Sequence, residues 1–400
     1  MRIGLSTSAI GRGQTGIAQY VFGLTRALME RTSEHQFTLF VMEEDLPLFQ
    51  FVGDEMELVT VPESFRSPIR NILWHQKWLP RLAQRHRLDV LHVPTYRRLL
   101  WPRPCALVAT VHDLAPFHIP KKYDWKRMFY GRVIARHLIR RQNEVIAISQ
   151  NTARDITTFY GLPPERLTVI HNGVDHSQFF PAPREQAQAE VRARYGIRQP
   201  FFLYVARLEH PGKNHVRLIE AFNRFKAETR SPWQLVLVGS NWHGADVIHN
   251  MLRQSPFASD LFCLGFVEGS ALPTLYRAAG VFCYPSLYEG FGLPPVEAMA
   301  CGCPVLCSPR GALGEVVDGA AIIVDPENVT AIKEEMTRLT SKEVLREELR
   351  AAGLVRAQHF NWQSTAAATL SIYTRAFTQV RHVQPVPALS AALEDTMVTK

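Results

Sequence analysis

Short runs of Val, Ile, Leu and Phe punctuate the chain, separated by longer stretches in which apolar residues return every three or four positions. The first pattern predicts strands buried on both faces of a parallel sheet, the second amphipathic helices packed on it. In the first half the runs fall at residues 2–6, 37–42, 58–61, 90–93, 107–112 and 145–148. Thr15-Gly16 leads into a predicted helix at 17–30, and 127–142 is the clearest later helix. The pattern restarts with runs at 201–205, 234–238, 262–266, 281–285, 305–308 and 322–324, with a helix at 214–226 and a last long helix at about 362–379. Two such series in tandem predict an α/β protein of two Rossmann-like, doubly wound domains facing each other across a cleft. The reading divides the chain into 1–182 and 183–380, joined by a Pro-bearing, charged linker at 181–200. Residues 381–400, rich in Pro, Ala and Ser, are expected to be a disordered tail.

Composition narrows the class. A length of 400 residues suits two cores rather than one. No apolar run approaches the roughly 18 residues needed to span a bilayer. Met1-Arg2 passes directly into Ile3-Gly4-Leu5 without the pattern of a signal peptide, so a cytoplasmic location is expected. Six cysteines make no disulfide framework, and Cys301, Cys303 and Cys307, with no supporting His, read as packing residues rather than a zinc site.

Charge is uneven. Residues 1–184 hold 24 basic and 16 acidic residues, whereas 185–400 hold 21 of each. Within 64–141 there are 17 basic against 3 acidic, including Arg81, Arg85, Arg87, Arg97, Arg98, Lys121, Lys122, Arg140 and Arg141. Such a region can meet phosphates or an anionic membrane surface, or it is simply a solvated face.

The most specific stretch runs from Tyr284 through Glu289-Gly290-Phe291-Gly292-Leu293-Pro294-Pro295-Val296-Glu297 to Gly302-Cys303-Pro304. Its glycines permit close approach of a ligand to the backbone, its prolines suit the first turn of a helix, and Gly302 suits the C-cap. This reading puts Glu289 on a flexible glycine turn and Glu297 in the first helical turn, both at the carboxyl end of a parallel sheet, where α/β proteins bind ligands. A second stretch, Tyr204-Val-Ala-Arg207-Leu-Glu-His-Pro-Gly212-Lys213-Asn214, carries two cations on a strand-to-helix turn, a suitable clamp for a diphosphate.

Both stretches closely resemble the donor site of retaining glycosyltransferases of the GT-B fold, in particular glycosyltransferase family 4, and the resemblance extends along nearly the whole chain. It implies that Glu289 meets the donor sugar and Glu297 the ribose hydroxyls, and that the Gly290, Phe291, Gly292 and Leu293 amides touch sugar and phosphate. Arg207 and Lys213 become the diphosphate ligands, although the family often has Gly where this chain has Ala206. Val111-His112-Asp113-Leu114-Ala115-Pro116 resembles the family's His-Asp element, so His112 would approach the sugar from the opposite domain while Asp113 orients the loop. Gly16 and the backbone at Val267 complete the donor-binding set, Val267 near the nucleobase. The last helix would cross back to pack on the first domain.

The chain contains no Asp-x-Asp, and neither metal nor cofactor is expected; a nucleoside diphosphate sugar is the co-substrate. The resemblance favours GDP-mannose, with UDP-sugars as the alternative, and a glycan or lipid-diphosphate-linked acceptor in cell-surface polysaccharide synthesis, with the basic first domain on the inner membrane face. Two other classes are weighed. Gly11, Gly13 and Gly16 have the numerical spacing of a dinucleotide fingerprint, but the loop is too long and no acidic residue stands near the end of the second strand before Glu43, against a dehydrogenase. A non-catalytic nucleic-acid or membrane binder would need only the basic region; nucleic acid is not expected as a partner.

Overall fold

Each half is held by a sheet whose strands are apolar on both faces and therefore need helices on both sides. A computed structural model describes residues 1–95, 103–119 and 128–383. The first sheet comprises β1 (Arg2–Ser6), β2 (Gln36–Met42), β3 (Glu57–Val61), β4 (Val90–Val93), β5 (Ala106–Val111), β6 (Glu144–Ala147) and β7 (Leu167–Val169). Its order is β3-β2-β1-β4-β5-β6-β7, with every pairing parallel. The second comprises β8 (Phe201–Val205), β9 (Gln234–Val238), β10 (Leu261–Cys263), β11 (Val281–Tyr284), β12 (Val305–Cys307) and β13 (Ile322–Ile323). Its order, β10-β9-β8-β11-β12-β13, repeats the same winding. The order reverses between β1 and β4 and again between β8 and β11, and such switch points open a crevice at the carboxyl edge.

Several elements depart from the periodicity. β7 is only three residues long, too short to stand out as an apolar run. The helix Pro68–Arg85 contains Pro80 and several cations, which mask its buried stripe of Trp74, Leu79 and Ala83. The helix expected at 127–142 ends at Ile139 and is widened by a π-turn over Tyr130–Ile134, where β-branched Val133 and Ile134 crowd the preceding turn. Residues 181–200 are not a free linker: helix Arg184–Tyr195 buries Ala187 and Val191 against the second core. Of the basic positions quoted above, Arg97, Arg98, Lys121 and Lys122 lie outside the described residues, as does 384–400. Among the described residues no helix is long and apolar enough to cross a membrane.

The last helix, Trp362–Val383, lies on the first sheet, where Trp362, Ala366, Ile372, Tyr373 and Ala376 join its core. Arg375 grips the fully buried Glu144 of β6 with Nε at 2.8 Å, and Gln379 donates to the same carboxylate at 2.6 Å. The chain therefore passes between the halves twice, and the two passes run side by side. Val174 and Asn361 form a parallel bridge, the Val174 amide donates to Phe360 O at 3.2 Å, and Thr365 Oγ1 donates to His171 O at 2.8 Å.

Candidate active site

The switch point of the second sheet gathers the charged residues. β8 ends at Val205 and its loop carries Arg207, Glu209 and Lys213 into helix His215–Thr229. Asn214 holds the end of this loop by donating from Nδ2 to Pro285 O at 2.9 Å and Pro326 O at 2.7 Å. The neighbouring strand β11 ends at Tyr284, and the Leu287 amide donates to Gly212 O at 3.0 Å, stitching the two loops together. Lys213 Nζ then meets Glu289 Oε1 at 2.6 Å, and Ser286 Oγ donates to the same oxygen at 2.6 Å. The pair is mostly enclosed, with 17% and 14% of the two side chains exposed. Glu289 is thus not on a flexible turn. Its backbone bridges to Gly311, and the Ala312 amide donates to Glu289 O at 2.9 Å, so its loop behaves as a short extra strand.

Arg207 does not share that contact. Its guanidinium lies over the Trp242 ring at 4.7 Å and reaches Glu209 Oε2 at 3.2 Å. The two cations expected to form a clamp are therefore each held by a different carboxylate, which keeps both side chains ordered at the loop's surface.

Gly292 starts the next helix from a left-handed conformation (φ +109°) that a side chain rarely adopts. The helix is Leu293–Ala300, so Pro294 and Pro295 fill its first turn, where no amide hydrogen is needed, and Glu297 falls one turn later than the sequence pattern suggests. There Tyr276 OH donates to Glu297 Oε2 at 2.9 Å. Burial pushes the Glu297 carboxyl up to about 7 despite that hydrogen bond, so it sits at the edge of ionisation near neutral pH. Glu297 and Leu293 open onto a cavity of about 300 Å³ between the halves, lined also by Gln19, Arg26, Gln178 and Trp362.

The first half reaches this edge through the loop after β5. A Cβ placed on Gly290 would collide with the carbonyl oxygen of His112, so only glycine allows the two halves to meet here. His112 Nε2 lies 3.2 Å from Pro94 O. A carbonyl can only accept, so Nε2 carries the proton and Nδ1 is left as the acceptor. Burial pushes His112 down to about 4, which keeps the ring neutral, and the Tyr20 ring packs edge-on at 4.9 Å. Tyr20 OH in turn joins Thr110 Oγ1 (3.0 Å), which joins His92 Nε2 (2.8 Å), and His92 Nδ1 meets Tyr373 OH of the last helix (2.7 Å). The Ala115 amide donates to Asp113 Oδ1 at 3.0 Å, which fixes the loop.

Further contacts clasp the halves. Tyr288 OH donates to Asp155 Oδ2 at 2.5 Å and stacks on His118 at 4.3 Å between ring centroids. Glu315 accepts from the Gln150 and Asn151 amides at 2.9 and 3.1 Å, capping the helix Gln150–Asp155 from across the cleft, and also pairs with His171 at 2.8 Å. Within the second core, Phe291 packs edge-on against Phe360.

Two further expected residues lie on other segments of the chain. Gly16 is the first residue of helix Gly16–Met29, with open space where a side chain would be, and Thr15 caps that helix by accepting from the Ala18 amide at 3.1 Å. The strand expected at 262–266 stops at Cys263; Val267 lies beyond it on a loop held by the Gly239 amide donating to Gly265 O at 2.8 Å. Sequence reasoning missed Ser286 and Tyr288, although both lie inside the quoted stretch, and it missed Tyr276, Asp155 and Glu315, which no local motif marks.

Comparison with known proteins agrees with this architecture. The family model of glycosyl transferases group 1 matches residues 187–355, and that of Glycosyltransferase Family 4 matches residues 14–178. O-antigen chain mannosyltransferase B of Escherichia coli is 31% identical over 390 residues, covering 93% of this chain and 99% of that protein. The MMP alpha-(1->4)-mannosyltransferase of Mycolicibacterium hassiacum is 32% identical, over 68% of this chain and 66% of that one. Anabaena HepE, in a crystal structure with UDP and glucose, superposes with a TM-score of 0.74 at 18% identity, covering 94% of this chain and 100% of that one, a likeness of fold. With the same two windings, the charged edge at the second switch point and these relatives, the chain belongs to glycosyltransferase family 4 and is a glycosyltransferase of the GT-B fold.

Proposed function

We propose that this enzyme transfers a mannosyl residue from GDP-mannose to a hydroxyl of a glycan or lipid-diphosphate-linked acceptor in cell-surface polysaccharide synthesis, with retention at the anomeric carbon. The observation that carries the transfer reading is the Lys213–Glu289 pair at the second switch point, directly beside the Gly290–His112 contact between the halves. Mannose is supported by the names of the two relatives given above, one of them an O-antigen enzyme matched over nearly its full length.

In this reading the donor diphosphate lies by Lys213 and Arg207, whose charges offset the negative charge that grows on the departing nucleotide. Glu289 meets the sugar, and the bare Nδ1 of His112 accepts from a sugar hydroxyl. Glu297 accepts from the ribose hydroxyls with the oxygen atoms that Tyr276 leaves available. The acceptor hydroxyl attacks on the face from which the phosphate leaves. The C–O bond to the phosphate breaks as the new glycosidic bond forms, and the acceptor proton passes to the departing phosphate oxygen. In this reading Lys213, Arg207 and the neighbouring backbone amides neutralise the diphosphate, so the transfer needs no metal.

The test pairs a thermal-shift panel of nucleotide sugars with a transfer assay that reads the product's anomeric configuration by NMR. GDP-mannose is expected to give the largest upward shift by mass action, and an α-linked product. A larger shift with UDP-sugars would overturn the donor, and a β-linked product the retention.

A further inference from the structure

Four arginines of the second half gather without a matching set of carboxylates. Arg184 opens helix Arg184–Tyr195, and Arg277 lies in helix Leu272–Ala278. Arg346 and Arg350 stand four apart on helix Glu343–Ala357 and so share one face. Together the four line a narrow cleft beside the turn at Gly302. Ala279, two residues before β11, and Pro304, immediately before β12, line it too. The cleft therefore sits at the amino edge of the second sheet, whereas Lys213 and Glu289 stand at the carboxyl edge.

Glu347 is the one carboxylate lining the cleft, and among the described residues none of the four arginines forms an ion pair. Two are partly engaged by carbonyls. Arg277 donates to Phe180 O at 2.8 Å and to Gln178 O at 3.3 Å, and Arg346 to Leu339 O at 2.6 Å and to Thr340 O at 3.2 Å. A guanidinium carries more N–H donors than these bonds use, so both keep donors for a ligand. Arg184 Nε is buried with no hydrogen-bond partner, a cost that a ligand oxygen would remove. Burial, reinforced by the charges of Arg346 and Arg350, holds Arg184 below the ordinary arginine range. The neighbouring Cys303 thiol is pushed up to about 12 by its own burial and so supplies no negative charge near neutral pH. Four like charges facing one carboxylate repel, and an anion between them relieves the repulsion.

We propose that this cleft binds a phosphate dianion, either the free ion or the end group of a small monoester. The Arg184 and Arg350 guanidiniums pair with its oxygens, and Arg277 and Arg346 complete the positive rim. Planar guanidiniums match phosphate oxygens two at a time, which suits arginine better than lysine here. The charge balance argues for a small ligand over a polyanion. Residues 185–400 hold 21 basic and 21 acidic residues, so the cleft is a local excess in a neutral half. The site is separate from the donor edge yet only one helix away: Gly302 lies just past the end of helix Leu293–Ala300, which carries Glu297, and Arg277 follows Tyr276, the donor to Glu297. It depends on neither the sugar nor the acceptor proposed above.

The experiment is isothermal titration of the full chain with inorganic phosphate and, separately, with glycerol 3-phosphate, at an ionic strength held constant with potassium chloride. A Lys213→Ala chain keeps the donor edge out of the measurement and should still bind. Adding Arg184→Gln/Arg350→Gln to it should weaken binding about tenfold or more. Arg350→Gln alone, compared with wild type, should show the same loss in a chain whose donor edge is intact. In phosphate-free buffer Arg350→Gln should melt no lower than wild type, because it removes a like charge from the cleft and no ion pair. Phosphate should raise the melting temperature of the Lys213→Ala chain by mass action, and that rise should vanish with the two arginines. Tighter binding of the ester would assign the site to a phosphomonoester, and equal binding to the free ion. No binding by the Lys213→Ala chain, binding that survives removal of both arginines, or an Arg350→Gln chain that melts well below wild type would overturn the site.

Discussion

The two halves are one winding used twice, yet their switch points present different side chains. At the second switch point an enclosed ion pair, Lys213–Glu289, stands beside a carboxyl raised to about 7. At the first, the end of β1 offers Ser6 and Ser8 to the buried ring of His75, and the loop after β5 offers a neutral His112. The fold places loops at the same stations in both, and the side chains decide what each presents: at the first, hydroxyls and imidazoles lie beside His75 and His112, while the Arg12–Glu44 and Arg66–Asp45 pairs belong to the loops after β1 to β3. A charged edge suits a diphosphate and its leaving group; a neutral one suits a hydroxyl-rich acceptor that need not be ionised.

If that division of labour is right, damage to the charged edge should be far costlier than damage to the neutral one. Lys213→Ala or Glu289→Ala should each lower kcat by about 10²–10³-fold, because each removes a group acting on developing charge. Removing one member also takes the opposite charge away from its mostly enclosed partner, a cost of about 3 kcal/mol in stability that denaturant melts would detect. Transfer at wild-type rate in either variant would erase the contrast.

Glu297→Gln sharpens the comparison by separating stability from function. The carboxyl's folded value lies above its unfolded one, so between about 4.5 and 7 the native chain holds the extra proton, and stability falls as pH rises through that window. The amide removes this term. The variant should be more stable than wild type at pH 8, by up to about 3 kcal/mol, while its KM for the donor rises. Burial depresses His92 to about 3 and His112 to about 4, which acts in the opposite sense: there the unfolded chain binds the extra protons below about 6.5, so stability is lost on acidification. Melting temperature should therefore climb more steeply between about pH 4.5 and 7 in the Glu297→Gln variant than in wild type, with the acid-side fall kept in both.

Gly290→Ala tests whether the two edges must touch. Its methyl group would push against the His112 carbonyl, and the expected result is about a tenfold loss in kcat/KM from an overpacking strain of roughly 1–3 kcal/mol, with each half still folded. Ser8→Ala at the neutral edge should change transfer by less than about threefold, since its 3.4 Å contact with His75 is long and worth at most about 0.5 kcal/mol.

Much of this arrangement is legible in the sequence, for a reason that also sets the limit. Strands such as Phe201–Val205 and Val281–Tyr284 are apolar on both faces, and the loops after them carry Arg207, Lys213 and Glu289 within a few residues, so element and chemistry are read together. Glu297 was displaced by one turn because the start of its helix is set by the left-handed Gly292, not by the prolines that follow. Lys213 and Glu289 are both marked by sequence, but their pairing is not: 76 residues separate them, and only the adjacency of β8 and β11 brings them together. The same holds for Tyr276 against Glu297 and Glu315 against the Gln150–Asp155 helix, where a residue with no motif of its own acquires a role from strand order. The helix Pro68–Arg85 was hidden for a different reason, since an exposed face that keeps Ile69 and Leu73 blurs the contrast on which periodicity depends.

The side-by-side passage of the chain at Val174 and Asn361 has a mechanical consequence. Two covalent passes of the chain run together at one place, joined by the Val174–Phe360 bond on the side of the second half and the Thr365–His171 bond on the side of the first, so the halves are leashed to each other along one line. The relative setting of the His112 and Gly290 loops is thereby written into the connectivity of the chain as well as into their contact.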